Sequence, residues 1–158
     1  MTSSLQWLRL SKERAEALVL LLSQLAFCGD CRWFNPHPSD LAHIRRLSET
    51  IELDQHKLLV YGDVVIGYGL LRGWDQGYEV PSLGVAVHPA YRGQGFARLV
   101  VELLHTEARL KGARQVRLRV SPDNHAAIAL YAKIGYVFSE TLDSTGLLVA
   151  FYQLEPTN

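Results

Sequence analysis

The sequence carries no excess of charge of either sign. Sixteen Lys and Arg balance sixteen Asp and Glu, so the chain lacks the global positive field on which non-specific nucleic-acid binding depends. No nucleic acid is expected as a partner, and any anion site has to be local. Long apolar runs are missing too. The longest uninterrupted aliphatic one, Ala17 to Leu22, is far too short to span a bilayer, so no membrane partner is expected either. Met1 to Glu16 lacks the charged-then-apolar layout of a signal peptide, which makes the cytoplasm the expected location. Cysteine is scarce: Cys28 and Cys31 form the one C-x-x-C. A closed zinc site would need further ligands where only His37 is near, and a redox pair would open a helix after a strand, whereas this pair follows a helical stretch. They read as structural or incidental thiols, and no metal is expected.

What remains is an ordinary globular composition. With 158 residues, 48% of them hydrophobic, residues 1–158 read as a single domain with an adequate core. There is no internal repeat and no linker. Residues 5–10 alternate like a strand, and Ser11 stands as an N-cap before an amphipathic helix to about Phe27. Ser39 or Asp40 can cap a second helix carrying Leu41, Ile44, Leu47 and Ile51 at helical spacing. Residues 57–71 form a hairpin turning at Gly62-Asp63. Residues 77–87 are a strand interrupted at Pro81. A helix from about Gly95 to Lys111 stops at Gly112. Residues 114–120 alternate as a strand with Arg117 and Arg119 on a wet face. Asp123 caps a short helix ending at Gly135, and two strands, 136–142 and 147–154, close the chain around the turn at 143–146. That order predicts a mixed α/β sheet.

The stretch Arg92-Gly93-Gln94-Gly95-Phe96-Ala97 lies between a strand and a helix. Such a junction presents main-chain N–H groups without intrahelical partners at the positive end of the helix dipole. Gly93 and Gly95 have no Cβ to hold a diphosphate away, Arg92 can add a charge-assisted contact, and the small Ala97 keeps the first turn near the strands. A dinucleotide fingerprint would need a third glycine where Arg98 stands, and a Walker loop would need Gly-Lys-Ser/Thr. Neither fits.

These residues resemble the Arg/Gln-x-x-Gly-x-Gly/Ala motif of the GNAT N-acetyltransferase superfamily, preceded by a strand and His-Pro-x-Tyr over Val85 to Tyr91. A second block, Asn124 to Tyr136, is similar to that family's Asn-x-x-Ala-x-x-x-Tyr-x-x-x-Gly-Phe segment, with Tyr136 in place of the commoner Phe. The resemblance covers about residues 80 to 137. It implies the acyl-CoA N-acyltransferase fold, a mixed and mostly antiparallel twisted sheet of about seven strands flanked by about four helices. It also implies acetyl-CoA as acyl donor, in a gap between strand 83–87 and strand 114–120. The main chain around Val85, Ala86 and Val87 would pair with the pantetheine, and an N–H near Val87 would polarise the thioester. The amides of Gly93, Gly95 and Ala97, with Gln94 and Phe96 in the same loop, would hold the pyrophosphate, and Asn124 the pantetheine arm.

Tyr131 follows Asn124 by two helical turns, on the same face. Its phenol can protonate the departing thiolate; alternatively, its ring packs under the last strands. Glu79 shares the odd parity of Val85 and Val87 and can take the amine's proton, or it is a surface carboxylate; His88 is its rival, in a His-Pro turn. Trp33, Phe34, Trp74 and Tyr78 sit in loops that can flank the acceptor or cap the sheet. The implied reaction is direct acetyl transfer to the amine of a small molecule or peptide, without an acyl-cysteine. An acyl-CoA-binding sensor and an O-acetyltransferase stay open as alternatives, as does a homodimer.

Overall fold

The computed structural model describes residues 3–50 and 53–156. Its chain order is β1 (Leu5–Arg9), α1 (Ala15–Phe27), α2 (Leu41–Glu49), β2 (Gln55–Tyr61), β3 (Val64–Arg72), β4 (Ser82–Val87), α3 (Phe96–Leu110), β5 (Gln115–Val120), α4 (His125–Ile134), β6 (Val137–Phe138) and β7 (Leu148–Gln153). All seven strands form one sheet in the order β1-β2-β3-β4-β5-β7-β6. Every neighbouring pair is antiparallel except β4 and β5. The mixed, mostly antiparallel sheet with four helices is the expected fold.

Each face of the sheet carries its own core. Leu18, Leu21 and Leu25 of α1 and Ile44 of α2 pack on Leu58, Val60, Tyr68 and Leu70. On the opposite face, Val100, Leu104 and Ala108 of α3 and Tyr131 of α4 pack on Leu59, Ile66, Val116 and Leu118. Fully burying each such aliphatic side chain is worth about 1.5–3 kcal/mol. Leu104, fully buried, is a position where truncation to Ala would cost about 2–5 kcal/mol. Both helices of this second layer end the way their glycines predict. Gly112 and Gly135 adopt left-handed φ of 85° and 117°. The next amides reach back across the last turn, Ala113 N–H to Ala108 O and Tyr136 N–H to Tyr131 O, both at 3.0 Å.

Several boundaries differ from expectation. Ser11 precedes a short 3₁₀ turn at Lys12–Arg14, its side chain makes no capping bond, and the α-helix proper starts at Ala15. Asp40 rather than Ser39 caps α2, accepting from His43 N–H at 2.9 Å. Ile51 lies outside the described residues. Asn124 rather than Asp123 is the N-cap of α4, accepting from Ala127 N–H at 3.3 Å. The strand expected from residue 77 starts only at Ser82, because Gly77 is left-handed and Pro81 has no N–H to give a ladder. Of residues 136–142, only Val137–Phe138 pairs as strand.

Candidate active site

The parallel neighbours β4 and β5 meet at one register pair, Ser82 with Arg117, and part beyond it. His88 N–H donates to Ile66 O at 2.8 Å, and in an antiparallel ladder alternate residues serve the same neighbour. Gly84 and Ala86 are therefore bonded to β3, while the main-chain groups of Val85 and the N–H of Val87 point into the parting. Pro81 O accepts from Arg117 N–H at 3.0 Å, and no ladder continues past that point. A cleft of about 570 Å³ opens here, lined by Val85, Ala86 and Val87, by Gly93, Gly95, Phe96 and Ala97, and by Asn124 and Tyr131. An extended chain bearing amides fits these unpaired groups.

The loop at the cleft's mouth is held by its own side chains. His88 Nδ1 accepts from Ala90 N–H at 3.0 Å, so this imidazole is occupied as a cap, and Tyr91 stands edge-on between His88 and Phe96. Gly93 and Gly95 have φ of 74° and 85°, and a Cβ at either would meet nothing within 4 Å. Their side faces open solvent. Gly95 offers no side-chain cap to α3, which leaves the first-turn N–H groups free for an anion. Arg92 is placed otherwise than expected. Its Nη1 lies 2.7 Å from Asp30 Oδ2, an ion pair off the line of a hydrogen bond, and its Nη2 donates to Val87 O at 3.3 Å. The guanidinium ties the loop before α2 to the end of β4. Arg98, which also lines the cleft, is the more exposed cation at the helix mouth, bridged to Glu102 at 3.0 Å. Gln94 is exposed and outside the lining.

From α4, Asn124 uses its Oδ1 as helix cap and keeps its two amide hydrogens. Tyr131 is buried, its ring edge-on to Tyr136 at 5.4 Å. Burial pushes its phenol up to about 12, so it stays protonated at neutral pH. Beneath it Tyr136 Oη and His105 Nε2 share a 2.7 Å hydrogen bond, and burial lowers His105 to about 4.

Residues 28–40 cross the α1 face of the parting. Trp33 and Phe34 line the cleft with Leu25 and Asp30; Phe34 stands edge-on to Tyr68 and would lie 3.5 Å from a Cβ at Gly84. His37 anchors this crossing. Its Nδ1 is 2.8 Å from Pro38 O, its Nε2 2.8 Å from Tyr68 Oη, and His56 Nδ1 is 2.9 Å from the same hydroxyl. A carbonyl only accepts, so His37 carries its proton on Nδ1, Tyr68 donates to His37 Nε2, and His56 donates to Tyr68. Burial lowers both imidazoles, His56 to about 4.

The remaining expected residues are not beside Tyr131. Trp74 is half-buried against the core with the Lys111 ammonium 5.8 Å from its ring centroid, and it lines neither main cleft. Tyr78 and Glu79 are exposed and line a second cleft of about 790 Å³ at the start of β4. The first cleft thus gathers the two motif blocks with Trp33 and Phe34, and the second gathers Tyr78 and Glu79. Asp30, Arg98 and Leu130 were not foreseen in the lining. Arg98 carried the one available signal, a cation in the first turn of the helix. Cys28 and Cys31 are exposed and free. Among the described residues no group of three or more His, Cys, Asp or Glu is arranged to hold a metal, and no helix is long and apolar enough to cross a membrane.

Residues 24–136 match the model of the acetyltransferase (GNAT) family, a span that includes both motif blocks. An acetyltransferase of Yersinia pestis strain Pestoides F is 31% identical over 74 residues, 47% of this chain and 52% of the relative. One of Sodalis glossinidius strain morsitans is 31% identical over 83 residues, 52% of this chain and 56% of the relative. The chain spans about half the length of the curated relatives it matches. Among solved structures, an N-acetyltransferase from Staphylococcus aureus Mu50 superposes with TM-score 0.81 at 20% identity, covering 97% of this chain and 100% of that one. A putative acetyltransferase from Salmonella typhimurium with its cofactor acetyl-CoA gives 0.76 at 21%, covering 97% and 95%. The ribosomal-protein-S18-alanine N-acetyltransferase from Escherichia coli gives 0.71 at 18%, covering 98% and 97%. At these identities the likeness is one of fold.

Proposed function

The chain belongs to the GNAT acetyltransferase family, and on that premise we propose that it transfers an acetyl group from acetyl-CoA directly to a primary amine. Residues 1–158 act as one catalytic domain. The observation that carries this reading is the parting itself: unpaired main-chain groups of β4 run straight into a helix mouth with free N–H groups. Acetyl-CoA supplies the activated thioester. The main chain of Val85 and Val87, with Ala86 between them, holds the pantetheine, and Val87 N–H polarises the acyl carbonyl. Gly93 to Ala97, through Gln94, Gly95 and Phe96, present the amides that bind the diphosphate. Arg92 keeps this loop in place through Asp30 and Val87 O. The Asn124 amide donates to the pantetheine arm. Tyr131 Oη protonates the sulfur as it leaves, and Glu79, directly or through water, takes the ammonium proton. Trp33 and Phe34 shield the thioester end, and Tyr78 flanks the acceptor.

Thermal unfolding with acetyl-CoA, free CoA and NAD tests the donor. A ligand at about 100 times its dissociation constant adds about 2.7 kcal/mol of stability. The CoA compounds should raise the midpoint and NAD should not; a response to NAD alone would sink the reading. Free-thiol release with matched amine and alcohol acceptors then separates N-transfer from O-transfer, and binding without any turnover would favour a sensor.

A further inference from the structure

The second cleft is built by one rung of the sheet. Register pairs Arg72 with Ser82, Ser82 with Arg117 and Arg117 with Phe151, and directly opposed residues project from the same face. That face is the one covered by α1 and α2 at Tyr68 and Leu70, four and two residues before Arg72 on β3, but the helices stop short of the rung. Arg119, two residues beyond Arg117, joins it on that face. Tyr78, 63% exposed, and Phe151, 37% exposed, form the apolar flanks.

The charges in this cleft are unevenly satisfied. Arg119 is held by Asp143 at 2.8 Å and by the Thr145 hydroxyl. Asp54 Oδ1 accepts from Gly73 N–H and Asp75 N–H at 3.0 and 3.1 Å, which fixes the loop after β3. Arg72 Nη1 donates to Pro36 O at 2.6 Å, yet it has no carboxylate within ion-pair distance among the described residues. Arg117 has none either, and its Nε is buried without a hydrogen-bond partner. A buried, unpartnered donor on a guanidinium is costly to leave unmade. Arg117 and Arg72 flank the Ser82 hydroxyl, so three donor-bearing groups sit on one rung with Glu79 as the free carboxylate of the same cleft.

We propose that this rung is the acceptor's anion subsite: Arg117 and Arg72 bind a carboxylate or phosphate on a zwitterionic acceptor whose amine faces the parting of β4 and β5. The assignment rests on the acetyl-transfer reading for what the acceptor does there, though not for the binding of the anion. Guanidinium donors match the planar carboxylate and the phosphate equally well. Ser82 is two residues from Gly84 and three from Val85, about 7–10 Å along an extended strand, the reach of a small amino acid or amino phosphate. Phe34 over Gly84 and Pro36 on Arg72 line the intervening path.

Two measurements on the intact chain test this. In the first, thiol release is compared for acceptors differing only in the acidic group: amino acids against their methyl esters, and phosphoethanolamine against ethanolamine. The acids should be preferred by about tenfold or more in kcat/KM, the scale of a lost charged hydrogen bond, and the pair that shows it names carboxylate or phosphate. Arg117→Gln should collapse that preference toward one, with Arg117→Lys recovering part of it. Equal turnover within both pairs, or preference for the uncharged partner in both, overturns the proposal. In the second, arginine Nε–H resonances are followed as inorganic phosphate or acetate is added without acetyl-CoA. The resonance missing from Arg117→Gln should shift saturably; a shift no larger than that of exposed arginines overturns the proposal. A saturable Arg117 response in a protein that fails to bind acetyl-CoA would keep the anion subsite and remove acetyl transfer. CoA binding with acid-blind turnover would do the reverse.

Discussion

Tyr131 and Gly69 show how much a single side chain, or its absence, decides here. Tyr131 lines the cleft with a buried ring, and burial holds its proton on, up to about 12. Removing only the hydroxyl leaves the packing against Tyr136 in place. Tyr131→Phe should therefore lower kcat by about 10²-fold or more while leaving acetyl-CoA affinity and unfolding midpoint little changed, which single-turnover kinetics and calorimetry would read. Unchanged turnover would return the residue to a packing role. Gly69 works by absence. A Cβ there would lie 2.9 Å from Trp7 Cη2 and 3.0 Å from both Leu104 Cδ1 and Val100 Cγ1, so β3 can approach α3 only as glycine. Gly69→Ala should cost about 1–3 kcal/mol in denaturant unfolding, by pushing the helix that carries the glycine loop off the sheet.

At the scale of elements, α4 is joined to the cleft through its cap. Asn124 accepts from Ala127 N–H and keeps two donors. Asn124→Ala should lose about 1 kcal/mol of stability and acetyl-CoA affinity together, whereas Asn124→Asp keeps the acceptor, retaining stability without the affinity. Titration calorimetry and thermal unfolding separate the two. This element was readable from sequence because its signals are local: Asn, two turns, Tyr, then Gly135. The hairpin at Gly62, the ends of α3 and α4 and the glycine junction were legible for the same reason. What failed was what depends on distant partners. Arg92 looked free for phosphate because nothing nearby in sequence announces Asp30. Asp123 and Asn124 are equally good caps locally, and the fold chose between them. Parity placed Glu79 with Val85, but parity holds only inside a continuous strand, and β4 begins only at Ser82, next to Pro81, and does not reach back to Glu79. Trp74 packs against the α3-side core with the Lys111 ammonium near its ring, partners that lie far from it in sequence.

The whole molecule holds three imidazoles neutral. Burial lowers His37, His56 and His105, the latter two to about 4, against an ordinary value near 6.5. Between those pH values the unfolded chain binds more protons than the folded one, so stability is complete above about pH 6.5, falls as the pH drops towards about 4, and levels off there. Thermal midpoints across that window should show the slope, and His105→Gln should flatten it; a midpoint that rises on acidification would contradict the burial of these rings. The parting of β4 and β5 also acts at this scale. Strands β1 to β4 and β5 to β7 are two smaller sheets sharing one rung, so the fold carries in its middle what other proteins confine to their rims: a stretch of strand edge with no strand beside it.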